Sequence, residues 1–381
     1  MRKILFVVND ISFFLSHRLP IALTARDAGY EIHISGTDED NKKASLHDYG
    51  FTYHPWPVTR SGKNPFTEIT LIWKLIRILK YVKPDILHLI TIKPVIYGGI
   101  SARFTGNSAV VAAITGLGFV FSSKSLNASV LRFLAAKLYR AALKHLRLCV
   151  IFQNRDDAEI ISRLAALKPE KSCLIRGSGV NLVEYSFSPL PPSAELPIVV
   201  LAARLLKSKG VPEFVAAARK LHKQEINARF VLVGSPDEKN PESMSKDFIA
   251  ICARDGIVEH WGYRNDMPEV LRQSSLVVLP SWREGIPKVL LESAAAGRAV
   301  ITTDAPGCRD AIIPDITGLL VPLRDADALA DAIKQLLSDR ARLEAMGKAG
   351  RKLAEREFDV RRVVDKHLEI YQNLLTEKEI L

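Results

Sequence analysis

Short apolar runs rich in β-branched residues alternate with stretches of helical periodicity along almost the whole chain. This pattern belongs to parallel sheets covered by helices on both faces, where each strand is buried on both sides. The first strand candidates are Lys3 to Val8, Glu31 to Ser35, Asp85 to Leu89, Val110 to Thr115 and Leu148 to Phe152. Between them, Leu71, Ile72, Leu75, Ile76, Leu79 and Val82 recur at helical spacing, and Pro84 forbids continuation. Pro189, Pro191, Pro192 and Pro197 crowd the segment from Ser186 to Pro197, which reads as a semi-rigid linker. The alternation then restarts with Ile198 to Ala203, Arg229 to Val233, Glu259 to Tyr263, Leu276 to Leu279, Ala299 to Thr303 and Leu319 to Pro322. The expected fold is α/β, with two Rossmann-like domains over residues 1–188 and 195–358 and a last helix starting at Asp359.

Charge is divided as sharply as structure. The net charge is +11, and residues 1–185 carry all of it, while 186–381 is neutral. Between Asp85 and Asp156 there are nine Lys or Arg residues and no acid. Such a surface suits an anionic partner: nucleic acid, anionic lipid or a phosphorylated substrate. In the helix expected over Ser129 to Leu148, Arg132, Lys137, Arg140 and Lys144 fall in an arc of about 140°, with Leu131, Leu134 and Leu138 opposite. This predicts a helix lying on an anionic membrane surface; the competing reading is a solvated charged face.

The apolar run after Lys3 ends at Asn9 and Asp10, too early for a signal peptide. The longest uncharged window, from Phe104 to Lys124, holds three glycines and several hydroxyls, a poor membrane span. Cys149, Cys173, Cys252 and Cys308 match neither a metal clip nor a disulfide framework and read as buried thiols of a reducing cytoplasm.

Two segments of the second half carry chemistry. After the strand ending near Ala203 comes Arg204, then Lys207-Ser208-Lys209-Gly210 and a helix, an arrangement that suits phosphate. Further on, Glu284 and Glu292 flank Gly285, Ile286, Pro287, Lys288 and Val289, one acid in a loop after a strand and the other on the second turn of the next helix. The loop amides suit an anion and the carboxylates vicinal hydroxyls, so the spacing fits a nucleotide sugar.

Glu284-x7-Glu292, with Arg204 and Lys209 upstream and Gly177-Ser178-Gly179-Val180-Asn181 before the linker, resembles the retaining family 4 glycosyltransferases of GT-B fold. The resemblance implies two Rossmann-like domains facing a cleft, with the last helix, 359–381, returning to the first domain. It implies that Glu284 meets donor sugar hydroxyls, Glu292 the ribose, and Arg204 and Lys209 the diphosphate. Thr115-Gly116-Leu117-Gly118 and Phe13-Phe14-Leu15-Ser16-His17-Arg18 look like a bacterial subgroup that adds N-acetylhexosamines to undecaprenyl-diphosphate-linked acceptors. Thr115 stands where many members carry a donor-contacting His, and His17 and Arg18 are the candidates for an acceptor diphosphate. His88, at a strand end, reads either as reaching the cleft or as structural.

The partners expected are therefore a UDP-sugar, a polyprenyl-diphosphate-linked sugar and an anionic membrane surface, without nucleic acid. The enzyme is expected to be cytoplasmic and peripheral on the inner face of the membrane. No cofactor or metal is expected, because Asp38-Glu39-Asp40 reads as a solvated loop and Asp325 as a helix cap. The rivals are a transferase for a soluble sugar or lipid A core, and a catalytically silent recruitment module. Intact Glu284, Glu292, Arg204 and Lys209 count against silence.

Overall fold

Uninterrupted apolar strands form two wholly parallel sheets, one in each half of the chain. The computed structural model describes residues 1–59, 65–106, 108–117, 135–238 and 240–380. It divides the chain into one unit of Met1–Ser178 with Arg361–Leu381 and a second of Gly179–Val360.

In the first unit the strands are β1 (Lys3–Asp10), β2 (Glu31–Thr37), β3 (Thr52–Pro55), β4 (Ile86–Ile90), β5 (Ala109–Ile114), β6 (Leu148–Phe152) and β7 (Ser172–Leu174), in the order β3-β2-β1-β4-β5-β6-β7. The helices are α1 (Ile11–His17), α2 (Leu19–Asp27), α3 (Lys43–Asp48), α4 (Pro65–Val82), α5 (Ile92–Arg103), α6 (135–142) and α7 (Arg155–Ala165). The short strands β3 and β7 carry no apolar run and escape sequence patterning; both lie at sheet edges, where one face need not be buried. Helix α6 ends well before Leu148, because Leu148 already pairs with Val110 in the sheet. Lys144 therefore stands in the turn after the helix rather than on it. Residues 129–134, with Arg132, lie outside the described residues.

In the second unit, strands β8 (Ile198–Ala202), β9 (Arg229–Val233), β10 (Glu259–His260), β11 (Leu276–Leu279), β12 (Ala299–Thr303) and β13 (Gly318–Val321) follow the order β10-β9-β8-β11-β12-β13. The helices are α8 (Val211–Lys223), α9 (Lys246–Arg254), α10 (Met267–Gln273), α11 (Lys288–Ala295), α12 (Ala326–Leu337) and α13 (Arg340–Leu353). Alternation along β8 builds a core on each face: Val199 and Leu201 join the cluster with Val215 and Leu329, while Ile198, Val200 and Ala202 join that with Leu290 and Leu291. Asp325 caps α12 by accepting the Ala328 N–H at 2.8 Å.

The proline-rich segment is not a linker between units. Arg298 is buried and donates from Nη1 to the Ser188 carbonyl at 2.8 Å and from Nη2 to the Pro189 carbonyl at 3.1 Å, while Nε reaches the Leu271 carbonyl at 2.7 Å. Burial lowers this guanidinium to about 10. Residues 179–188 thus belong to the second unit, and the boundary falls ten residues before the one suggested by the prolines. Gly179 sits at φ +76°, where a Cβ would lie 2.6 Å from the Val360 Cα. Val180 and Asp359 bridge beside it, so the two chain passages between units run side by side.

The last helix, α14 (Val360–Ile380), closes the first unit. His88 Nδ1 and the Tyr371 hydroxyl lie 2.6 Å apart, and the His88 and His367 rings stack with centroids 5.6 Å apart, all buried. His88 is a structural residue in the core of this unit. Burial holds His88 well below the usual histidine range, with His367 and Arg18 adding to the effect, and holds His367 at about 3, with Arg18 adding and the Val363 carbonyl opposing. Both rings are neutral in the folded protein, whereas the unfolded chain protonates them near pH 6.5. Stability from these rings is therefore complete above about pH 6.5 and lost as pH falls towards 3. The expected slope reaches about 1.4 kcal/mol per pH unit for each histidine. Urea midpoints measured at pH 7.5, 6 and 4.5 check this, and His367→Leu should flatten the profile; a midpoint independent of pH over that range contradicts it.

Candidate active site

Strands β8 and β11 are neighbours in the second sheet, but successive connections leave them in opposite directions, so their C-terminal loops border the switch point of the fold. The loop after β8 turns at Gly210, in the left-handed region at φ +76°, where a Cβ would lie 2.3 Å from the Pro280 carbonyl. Only glycine allows the two loops this approach. They are then tied together: Ser281 Oγ donates to the Ser208 carbonyl at 3.0 Å, and the Trp282 N–H donates to the same oxygen at 2.9 Å.

This fastening brings Lys209 and Glu284, 75 residues apart in sequence, into direct contact through Nζ and Oε1. Their side chains are 20% and 14% exposed, sheltered enough for charge to count yet open to a ligand. Ser281 Oγ also donates to Glu284 Oε1 at 2.7 Å. A third loop, after β12, supports the acid: the Glu284 N–H donates to the Pro306 carbonyl at 3.0 Å. Gly307, at φ +80°, leaves no room for a Cβ, which would lie 2.2 Å from the Gly285 carbonyl.

Helix α11 starts behind this contact, its N-cap at Pro287 and its positive dipole end at Lys288 and Val289. Gly285, Ile286 and Pro287 lie buried between Glu284 and the helix. Glu292, one turn into the helix, is buried, and Lys288 Nζ lies 3.2 Å from its Oε1. Burial and this carboxylate push the Tyr185 hydroxyl well above its ordinary value. Arg204 is half exposed and held 2.7 Å from Asp237 Oδ2 rather than on the Lys209–Glu284 pair. The arrangement offers two ammonium groups, a helix dipole and two carboxylates at the C-terminal ends of the central strands, a set that can hold a diphosphate next to hydroxyl groups. Ser281, Tyr185, Asp237 and Gly307 were absent from the sequence-derived set. The one signal among them was the Pro306-Gly307 turn directly after a strand.

The remaining candidates belong to the first unit. Thr115 and Gly116 directly follow β5, Thr115 half-buried and Gly116 at φ +130°, while Gly118 lies outside the described residues. His17 packs on Phe13 with ring centroids 4.3 Å apart and shares a 2.6 Å hydrogen bond with Ser16 Oγ. Arg18, the other candidate for an acceptor diphosphate, is buried, donates to the His17 carbonyl at 3.1 Å and is lowered by burial to about 10. The chain turns it inward because it begins α2, whose N-terminal turn packs inside. Lys137, Arg140 and Lys144 are exposed. Cys252 and Cys308 are buried as expected, but Cys149 and Cys173 are only half-buried, their sulfurs 3.6 Å apart on β6 and β7. Among the described residues, no three His, Cys, Asp or Glu side chains are grouped to hold a metal ion, and no helix is long and apolar enough to cross a membrane.

Comparison with known proteins agrees with this geometry. Residues 185–353 match the family model described as glycosyl transferases group 1, and residues 3–154 that described as glycosyl transferase 4-like. A Campylobacter jejuni protein, N,N'-diacetylbacillosaminyl-diphospho-undecaprenol alpha-1,3-N-acetylgalactosaminyltransferase, is 30% identical over 95% of this chain and 98% of its own. An Escherichia coli UDP-Gal:alpha-D-GlcNAc-diphosphoundecaprenol alpha-1,3-galactosyltransferase is 26% identical over 80% of this chain and 79% of its own. Among solved structures, the Anabaena HepE protein in complex with UDP and glucose superposes with a TM-score of 0.76 at 17% identity, covering all of both chains.

Proposed function

The chain belongs to the GT-B glycosyltransferases of the group 1 and 4-like families, and we propose that it transfers an N-acetylhexosamine, with retention, from a UDP-sugar to a polyprenyl-diphosphate-linked saccharide in bacterial glycan assembly. The observation that carries this reading is the Lys209–Glu284 contact at the switch point, with Glu292 buried on the helix behind it. The Campylobacter and Escherichia relatives, both named for transfer to undecaprenyl-diphosphate-linked sugars, support the acceptor class.

In this mechanism the arriving donor parts the ion pair. Lys209 exchanges a carboxylate for the diphosphate, so its charge is never left unpaired, and Glu284 turns to the sugar hydroxyls. Arg204 leaves Asp237 for the diphosphate, and Glu292 receives the ribose diol. The bond from the anomeric carbon to the phosphate oxygen breaks as Lys209, Arg204 and the α11 dipole take up the developing charge. The acceptor hydroxyl attacks from the face the diphosphate leaves. Its proton passes to the departing phosphate oxygen, so no separate base is required, consistent with Thr115 in place of histidine. These cations supply the charge that a divalent ion supplies elsewhere, and the enzyme works on the inner face of the membrane.

The test offers labelled UDP-sugars one at a time with a polyprenyl-diphosphate disaccharide in detergent, with and without EDTA. Transfer of one UDP-N-acetylhexosamine to an α-linked product, unchanged by chelation, is expected. A β-linked product removes the retaining mechanism, activity lost to EDTA removes the metal-free one, and transfer only to a soluble sugar removes the acceptor.

A further inference from the structure

We propose that helix α4 is the surface by which the first unit lies on an anionic lipid membrane, an inference that rests on the lipid-borne acceptor proposed above. The helix has two faces of opposite character. Leu71, Leu75, Leu79 and Val82 are buried in the core under the sheet. Outward stand Phe66, Ile69, Trp73 and Tyr81, which are 81%, 53%, 62% and 80% exposed, together with exposed Lys74, Arg77 and Lys80. At 3.6 residues per turn these seven residues share an arc of about 140°. Aromatic side chains this exposed along one helix depart from the usual segregation of such residues and mark a surface made for a partner.

The chemistry of the arc selects the partner. The one acid of the helix, Glu68, is turned aside: it accepts from Lys93 Nζ at 2.8 Å and from the Tyr97 hydroxyl, both on α5. The outward arc is left with cations and no carboxylate. Aromatic rings interleaved with Lys and Arg match the boundary between headgroups and acyl chains, where rings sink and cations stay with phosphates. A second copy of the chain is a poor fit, because a two-fold contact through this arc sets Lys74, Arg77 and Lys80 against the same residues. A protein interface is also a poor fit, since lysine is depleted at interface cores. Exposed Lys137 and Arg140 of α6 extend the same side of the unit. Helices α4 and α6 share one core cluster, and α6 meets α5 where a Gly99 Cβ would lie 2.3 Å from the Ala142 carbonyl. The basic arc expected from the sequence is thus the flank of the membrane face, and the aromatic anchor is on α4.

The experiment uses the full chain and vesicles of phosphatidylglycerol with phosphatidylethanolamine. Three proteins are compared: wild type, Phe66→Ser/Trp73→Ser/Tyr81→Ser, and Arg77→Glu/Lys80→Glu. Each variant is expected to bind vesicles at least roughly ten-fold more weakly than wild type. Added salt should weaken the aromatic variant further and leave little binding for the charge variant. Brominated lipid should quench wild type and not Trp73→Phe. Turnover on a short-chain, water-soluble acceptor and the thermal midpoint should stay within two-fold and a few degrees of wild type, since every changed side chain points to solvent. Failure of wild type to bind vesicles, or equal binding by the aromatic variant, overturns the proposal. So does a wild-type dimer that the aromatic variant breaks, because the arc then meets protein. Transfer to the polyprenyl acceptor in detergent is scored separately, so loss of the membrane face and loss of the acceptor assignment are told apart.

Discussion

Lys209→Ala is expected to lower kcat about 100-fold, the usual consequence of removing one preorganised partner of a developing negative charge. The effect should fall on turnover, since the ammonium serves the diphosphate most as it departs. Glu284→Gln should also cost one to two orders of magnitude in kcat, because the amide neither draws Lys209 into place nor accepts two hydroxyl protons. The two side chains share one contact, so the double variant should lose clearly less than the product of the single losses. Steady-state kinetics of the four proteins with a fixed donor and acceptor measure the coupling. Strictly multiplicative losses would separate the two residues in the reaction and leave the pair a feature of the resting enzyme only. Urea midpoints of the four proteins guard against reading a folding defect as chemistry, since Glu284 without Lys209 is a sheltered carboxyl group that has lost its ion-pair partner.

Glu292→Gln is expected to weaken UDP itself. The carboxyl group is buried beside Lys288 and Tyr185, a costly arrangement unless a polar ligand uses it. Exchange of a charged for a neutral acceptor costs about 1.5 to 3 kcal/mol, or roughly a 10- to 150-fold rise in Kd. Calorimetric titration with UDP alone reads this directly, without acceptor or turnover. Tyr185→Phe removes a hydroxyl group that feels the same carboxylate and should give a smaller loss in the same direction. Equal UDP affinity in wild type and Glu292→Gln would end the ribose assignment, whatever the effect on kcat.

Much of the fold could be read from local pattern because burial on both faces forces it. A strand such as β5, with all six residues buried, is continuously apolar, and that run is visible without knowing its neighbours. The weakly apolar edge strands β3 and β7 were invisible for the same reason. Glu284 and Glu292 were legible as a pair because a single loop and helix carry both. On α4, the inward leucines gave away the helix, but the sequence reading did not single out Phe66, Trp73 and Tyr81, since helical spacing does not say which apolar residues a sheet will leave exposed.

Residue order alone determined two parallel α/β units, the charge divided between them, and the loops that hold Lys209 and Glu284. Only the tertiary structure decided which charges meet. Lys209 reaches Glu284 because β8 and β11 pair at the switch point and Gly210 lets their loops touch. Arg204, five residues earlier, goes to Asp237, Arg18 goes inside, and the prolines from Ser186 onward are gathered in by Arg298. Local sequence sets the conformation of a strand or a turn, but a charge settles by its distance to a partner and its access to water. Both quantities arise when strands far apart in sequence pair.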